Sequence, residues 1–268
     1  MPYALTGKSV IVTGAARGVG LAISRKFAEA GAKVMMADLD EDRLDEEVKP
    51  LAEDSEDVRA FHCDLCERLS VQNLVAATID AFDRVDILVN ASRQVIAADP
   101  LSSDSEAFDS LIQQNVKNTL QMSQAVAKRM IQQTKDRTEP GPAGSIVNVT
   151  SIAARRTLPD LLAYSVSCAA LDQLTRSLAV ALACHSIRVN AVALGGVMTS
   201  NLREALRDRE GLRDELTAVT PLGRIGEADE AADAAVFLAS AAASFVTGQI
   251  LAVDGGRTML DPLDTPAH

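Results

Sequence analysis

The feature that most constrains this chain is a strand, a glycine turn and a helix in immediate succession, Lys8-Ser-Val-Ile-Val-Thr-Gly-Ala-Ala-Arg-Gly-Val-Gly20. The apolar run Val10 to Val12 has no polar face and predicts a strand buried on both sides. Gly14, Gly18 and Gly20 then open an Ala/Leu-rich helical pattern that runs to Gly31. A chain that leaves a strand this way aims the free N–H groups of the helix start, those around Val19, at one spot, where a pyrophosphate can be held. In that geometry Gly14 takes the tight turn, Gly18 lets the backbone approach the phosphates, and Gly20 lets helix and strand pack closely.

Glycines also collect in ordinary turns, so the next strand carries weight. Lys33-Val-Met-Met-Ala-Asp38 is a second buried run, with Asp38 at its C-terminal end. A carboxylate there accepts both ribose hydroxyls of an adenosine and repels a 2′-phosphate, which favours NAD over NADP. Arg17, inside the turn, pulls the other way as a possible phosphate partner, or is a solvated loop arginine.

The 268 residues, 47% of them hydrophobic, can bury one sizeable core, and residues 1–268 are expected to form a single domain. A net charge of −11 argues against nucleic acid or an anionic membrane as partner, since neutralising phosphates takes clustered Lys and Arg. No long apolar run and no leader pattern stands out, so a cytoplasmic protein is expected. Cys63, Cys66, Cys168 and Cys184 fit a reducing compartment; Cys63-Asp-Leu-Cys66 lacks a second pair or a histidine at ligand spacing, and His62, His185 and His268 are scattered. No metal site is expected.

Strand and helix patterns then alternate. An acidic helix is predicted over 41–53, a strand over 58–63, a helix over 70–82, a strand over 85–90 and one long helix over 105–135. A Pro/Gly-rich loop, Glu139 to Gly144, leads into the buried strand Ser145-Ile-Val-Asn-Val-Thr-Ser151. A helix over about 160–184 and a strand over 187–193 follow. Such alternation implies right-handed crossovers and an α/β fold, a doubly wound parallel sheet of Rossmann type with about seven strands and helices on both faces. Asp64, with Leu65 beside it, falls at the carboxyl edge of the third strand, where it can bond an adenine or simply cap the strand end.

The chain resembles the short-chain dehydrogenase/reductase superfamily from Leu5 to about Gly256. The resemblance rests on the Thr13-to-Gly20 turn, Asp38, Asp64, Asn90, Asn115, Ser151 followed by Tyr164, the Gly195-to-Thr199 segment and the closing Thr247-Gly-Gln-Ile-Leu-Ala-Val-Asp-Gly-Gly256. It implies hydride transfer between a nicotinamide and a carbonyl or alcohol carbon. Tyr164 would exchange the proton with the substrate oxygen, Ser151 would hydrogen-bond that oxygen, and Asn115 would order a water or a helix bend in the relay. Thr199 and the backbone near Val197 would hold the nicotinamide carboxamide, and Asn90 would lie by the cofactor. Two hydroxyls converging on one oxygen suit a carbonyl that becomes alkoxide-like as hydride arrives.

The sequence departs from that family at three places. Its Tyr-x-x-x-Lys is here Tyr164-Ser-Val-Ser-Cys168, and a cysteine can neither lower the phenol pKa through charge nor hold the ribose. Its Asn-Asn-Ala-Gly is here Asn90-Ala-Ser-Arg93, and its proline before the nicotinamide loop is here Leu194. Arg93, Arg155 or Arg156 is a candidate replacement cation; the plainer reading makes them solvated or contacts for an acidic substrate. Cys168 reads as a neutral small residue, since no histidine stands by to activate it.

Residues 200–218 read as a helical lid within a substrate segment of about 196–226, with Pro221 to Gly226 as its return. The family's paired long helices imply a homotetramer or homodimer, and the tail from Arg257 reads as lying on a neighbouring subunit. Two functions remain open: an NAD-dependent oxidoreductase acting on a small-molecule carbonyl/alcohol pair, slowed by the missing lysine, and a catalytically inactive nucleotide-binding protein with a regulatory or structural role.

Overall fold

A computed structural model describes residues 3–52, 56–101, 106–135 and 141–261. Seven parallel strands form one sheet in the order β3-β2-β1-β4-β5-β6-β9, so the chain winds outward in both directions from β1 and β4. They are β1 (Ser9–Thr13), β2 (Lys33–Asp38), β3 (Val58–His62), β4 (Ile87–Asn90), β5 (Gly144–Ser151), β6 (Ile187–Leu194) and β9 (Ile250–Val253). The expected α/β class and strand count hold.

Alternation along each strand divides the apolar residues between two layers. Val10, Val12, Val34, Met36, Val147 and Val149 face one side, under α1 (Gly18–Glu29), α2 (Glu41–Ala52) and α9 (Ala228–Ala239). Ile11, Met35, Leu88, Ile146 and Val189 face the other, under α3 (Arg68–Phe82) and α5 (Asn118–Gln133). Strands covered on both faces need apolar side chains at consecutive positions, which is why they read as continuous runs in the sequence. Each such side chain withdrawn from water contributes about 1.5–3 kcal/mol.

Two expected helices are interrupted. The helix expected over 105–135 is α4 (Glu106–Leu111), a π-helical turn (Ile112–Lys117) and α5, with residues 102–105 outside the described set. The helical stretch expected over 200–218 divides into α7 (Ser200–Asp208) and α8 (Leu212–Ala218): the chain turns extended at Arg209, and Gly211, at φ 82°, leads into α8. Its two ends are joined, because β7 (Val197–Met198) pairs in parallel with β8 (Gly226–Glu227). Residue Tyr164 lies on α6 (Leu162–Ala183). The predicted strand start at Val85 is a loop, with the Gln133 side chain bonding both Val85 N–H and Val85 C=O at 2.9 Å. Glu139 and Pro140 of the predicted loop, and the tail beyond Asp261, lie outside the described residues. No helix among the described residues is long and apolar enough to cross a membrane.

Candidate active site

The glycine turn is as tight as its sequence requires. Gly14 has φ 68°, and a Cβ there would lie 2.6 Å from the Cα of Ser92, so the loop after β4 rests directly on its backbone. A Cβ on Gly20 would lie 2.0 Å from the Gly14 carbonyl oxygen, which fixes α1 against the turn. The Thr13 hydroxyl accepts from the N–H groups of Ala91 and Ser92 at 3.2 and 3.3 Å and ties the β4 loop to β1.

At the carboxyl edge of the sheet, Gly14, Asp38, Asp64, Leu65, Ser92 and Gln114 line one cleft. Four of these are residues expected from the sequence. Asp38 closes the turn, its Oδ2 accepting from Ala16 N–H at 2.9 Å and its Oδ1 from Asp40 N–H at 3.1 Å. A carboxylate has about four acceptor positions, so two remain for a ligand. Arg17 is ion-paired to Asp40, while Arg43 donates to the Ala16 carbonyl at 3.1 Å. Asp64 Oδ1 accepts from Cys66 N–H at 2.8 Å, an Asx turn that holds the strand end. Val19 is buried at the start of α1, Val197 is buried in β7, and Thr199 caps α7 by accepting from Leu202 N–H at 3.3 Å. The Thr199 methyl lies 3.7 Å from where a Cβ on Gly18 would stand, so the 195–199 segment closes over the glycine turn.

Asn90 ends β4 at the carboxyl edge of the sheet. Its side chain turns into the sheet and donates to Asn148 Oδ1 at 2.8 Å and Ser123 Oγ at 3.1 Å, in a buried network that continues from Asn148 to Thr175. An amide on a strand end gives no sequence sign of which way it faces.

Ser151 ends β5 and Tyr164 sits in the first turns of α6, with Ser151 beside the phenol. Ser151 Oγ also accepts from Ala153 N–H at 3.2 Å and lies 3.4 Å from the Leu194 carbonyl. Tyr164 is 5% exposed, packed with Leu111, Ala153 and Cys168. Burial pushes its phenol above the ordinary value; the Arg93 charge opposes this, Cys168 adds to it and the Ser151 hydrogen bond opposes it. Asn115, in the π-turn, accepts from Gln94 N–H at 2.8 Å and donates to Gln94 C=O at 2.9 Å and to Ser167 Oγ at 3.1 Å. Ser167 in turn donates to the Tyr164 carbonyl at 2.8 Å. The widened turn therefore lets one amide clamp the β4 loop to the Tyr164 helix.

Arg93, open in the sequence as a replacement cation, a solvated side chain or a contact for an acidic substrate, points inward. Its Nη1 donates to Tyr164 Oη and to the Thr150 carbonyl, each at 3.1 Å. Of the other candidates, Arg156 bonds the Thr258 carbonyl and so lies elsewhere. Cys168 is 4% exposed, and burial first, then Asp172, pushes its thiol up against the lowering pull of Tyr164, Arg93 and Ser167, leaving it neutral.

The family model described as Enoyl-(Acyl carrier protein) reductase matches residues 14–258. The chain belongs to the short-chain dehydrogenase/reductase family. It is 35% identical to a D-threitol dehydrogenase of Mycolicibacterium smegmatis over 96% of this chain and 95% of that one. It is 37% identical to a 2,5-dichloro-2,5-cyclohexadiene-1,4-diol dehydrogenase of Sphingobium indicum over 96% and 99%. The crystal structure of a gluconate 5-dehydrogenase from Burkholderia cenocepacia, in complex with NADP and tartrate, superposes with a TM-score of 0.88 at 30% identity, covering 97% of this chain and 98% of that one.

Proposed function

We propose that this short-chain dehydrogenase/reductase interconverts a carbonyl and an alcohol on a small molecule, with NAD(H) as cofactor. The observation that carries the reading is that Ser151 stands beside the buried Tyr164 phenol at the edge of the sheet that also carries the glycine turn. The residues suit a dinucleotide: Gly14 and Gly20 let the turn close tightly against the β4 loop and α1, and Asp38 has acceptor capacity to spare for a ribose. Bound there, the nicotinamide supplies or takes the hydride.

The chain's own residues do the rest. Ser151 orients the substrate oxygen, Tyr164 gives or takes its proton, and Asn115 holds the loop and helix that place them. Thr199 and the Val197 backbone flank the nicotinamide end, with Asp64, Leu65 and the Asn90 backbone towards the adenine. The 196–226 segment serves as the lid of a single-domain enzyme. Exposed Leu162, Val166 and Val180 on α6 suit a contact between subunits of a homotetramer or homodimer, and the free cysteines suit the cytoplasm.

The preference for NAD(H) rests on the Asp38 carboxylate and on Arg17 being neutralised by Asp40. Fluorescence titration of NADH and NADPH checks it: wild type binds NADH at least tenfold more tightly, and Asp38→Ala narrows the ratio. Equal affinities in wild type would overturn the preference, and binding of neither would overturn the function. Nothing in the geometry favours the non-catalytic alternative.

A further inference from the structure

We infer that Arg93 is the catalytic cation of this enzyme, and that it stabilises the Tyr164 phenolate from the β4 loop in place of a lysine one helical turn away. The inference rests on the carbonyl/alcohol reading above and adds the residue that makes its proton step workable.

The geometry is specific. Arg93 Nη1 is 3.1 Å from Tyr164 Oη, and the same nitrogen is anchored 3.1 Å from the Thr150 carbonyl on β5. The neighbours of Arg93 are pinned on both sides: Ser92 N–H by the Thr13 hydroxyl, and Gln94 by both groups of the Asn115 amide. Farther along, Ala98 N–H bonds the Asp160 carbonyl at 2.9 Å, just before α6. The loop that carries Arg93 is thus held before and after it, and its guanidinium bonds two partners through Nη1.

Chemistry gives the contact a direction. A guanidinium is a donor only, so in this bond Tyr164 Oη must be the acceptor and its own proton is left free to point elsewhere, towards Ser151 and the substrate oxygen. During reduction a bound dihydronicotinamide would supply a hydride to the carbonyl carbon, the C=O π pair moving to oxygen. That oxygen takes the proton as the Tyr164 O–H bond breaks. The phenolate left behind already faces the Arg93 charge, and it recovers a proton from water; oxidation runs the same transfers backwards. A buried phenolate with no cation would be costly, which is the defect the sequence suggested on reading Cys168.

The groups facing the phenol are Arg93 from the β4 loop, Ser151 from β5 and Cys168 from α6; Asp172, with Arg155 and Arg176 near it, stands behind Cys168. Arg93 is the cation in direct contact. Removing it leaves burial and Cys168, which disfavour the phenolate, opposed only by the Ser151 hydrogen bond.

The chain has two tyrosines, Tyr3 and Tyr164, and no tryptophan. Protein made with 3,5-difluorotyrosine therefore gives two fluorine resonances, and the more acidic fluorinated phenol titrates while the protein is folded. Tyr3, half exposed and packed against Phe237, is the internal control. In Arg93→Gln the Tyr164 resonance should titrate about 1–3 pH units higher than in wild type, with Tyr3 unmoved. Arg93→Lys should stay within about one unit of wild type, because the charge is kept. An unmoved Tyr164 in Arg93→Gln overturns the inference, and so does a shift in Arg93→Lys as large as in Arg93→Gln. If Arg93→Gln fails to fold by circular dichroism, Arg93→Met is read in the same way and the lysine arm stands alone.

This titration needs neither cofactor nor substrate, so it separates the role of Arg93 from the function. NADH oxidation with cyclohexanone, diacetyl and 5-keto-D-gluconate tests the function. There Arg93→Gln should lose tenfold or more in kcat while NADH affinity holds within threefold. Loss of affinity with kcat unchanged would assign Arg93 to cofactor binding and overturn the inference.

Discussion

Replacing Gly20 with alanine sets two known effects against each other. Gly20 lies in the first turn of α1, and by helix propensity alone alanine there would stabilise by about 0.5–1 kcal/mol. The added Cβ, however, would stand 2.0 Å from the Gly14 carbonyl oxygen and 2.8 Å from its carbon. Weakly bonded C···O contacts settle at about 3.3–3.6 Å, so α1 and the turn must part by more than about 1 Å. The obstacle is backbone and has no rotamer to change. Meanwhile α1 is anchored by Ile23 and Phe27, both fully buried. Overpacking of this kind costs about 1–3 kcal/mol or more, so the net loss is about 1–2 kcal/mol, a fall of about 2–8 °C in melting temperature. The same displacement carries the helix-start N–H groups away from the phosphates and should weaken NADH binding at least tenfold. Thermal melting and NADH fluorescence titration measure the two. A variant that melts at or above wild type with the same NADH affinity would refute the reasoning and leave propensity the winner.

Cys168→Lys rebuilds the family's Tyr-x-x-x-Lys spacing but puts a second cation into a buried cluster that Arg93 already serves. Its NADH-dependent carbonyl reduction is expected to be no faster than wild type and its melting temperature lower, because an unpaired buried charge is costly; a tenfold gain in rate would mean that Arg93 does not do the lysine's work. Asp172 is 4% exposed, and burial lifts its carboxyl above the ordinary value despite the opposing Thr150 hydrogen bond and the Arg176 and Arg155 charges. A raised folded-state pKa gives stability that is complete below the unfolded value near 4 and is lost as pH rises through the folded value. Asp172→Asn removes that loss, so it should melt higher than wild type at pH 8, with the gap closing towards pH 4. An equal deficit at both pH values would mean that the shape of the Thr150 contact, and not charge, governs the site.

Sequence patterns carried the frame because they are local. Val10 to Val12 and Lys33 to Asp38 had to be apolar at adjacent positions once both sheet faces were covered, and Gly14 and Gly20 had to lack side chains where backbones meet. Asp38, Asp64, Leu65 and Gly14 were placed at one edge by strand ends alone, and they do line one cleft. The π-turn was hidden because one widened turn barely alters the apolar period between Leu111 and Met122. The break between α7 and α8 was marked in the sequence by Gly211, a glycine among charged residues. The inward turn of Asn90 and the reach of Arg93 depend on what lies across the sheet edge. Arg93 and Tyr164 are 71 residues apart, and no spacing rule joins them.

That separation changes what temperature does to the enzyme. Where a tyrosine and its cation share a helix face, their alignment lasts as long as the helix does. Here the alignment exists only while the β4 loop stays docked on α6 through Asn115, Ser167 and the Ala98–Asp160 bond. Docked loops open at lower free energy than the sheets beneath them. Heating should therefore silence turnover over a range in which circular dichroism still reports an intact fold, and cooling should restore it.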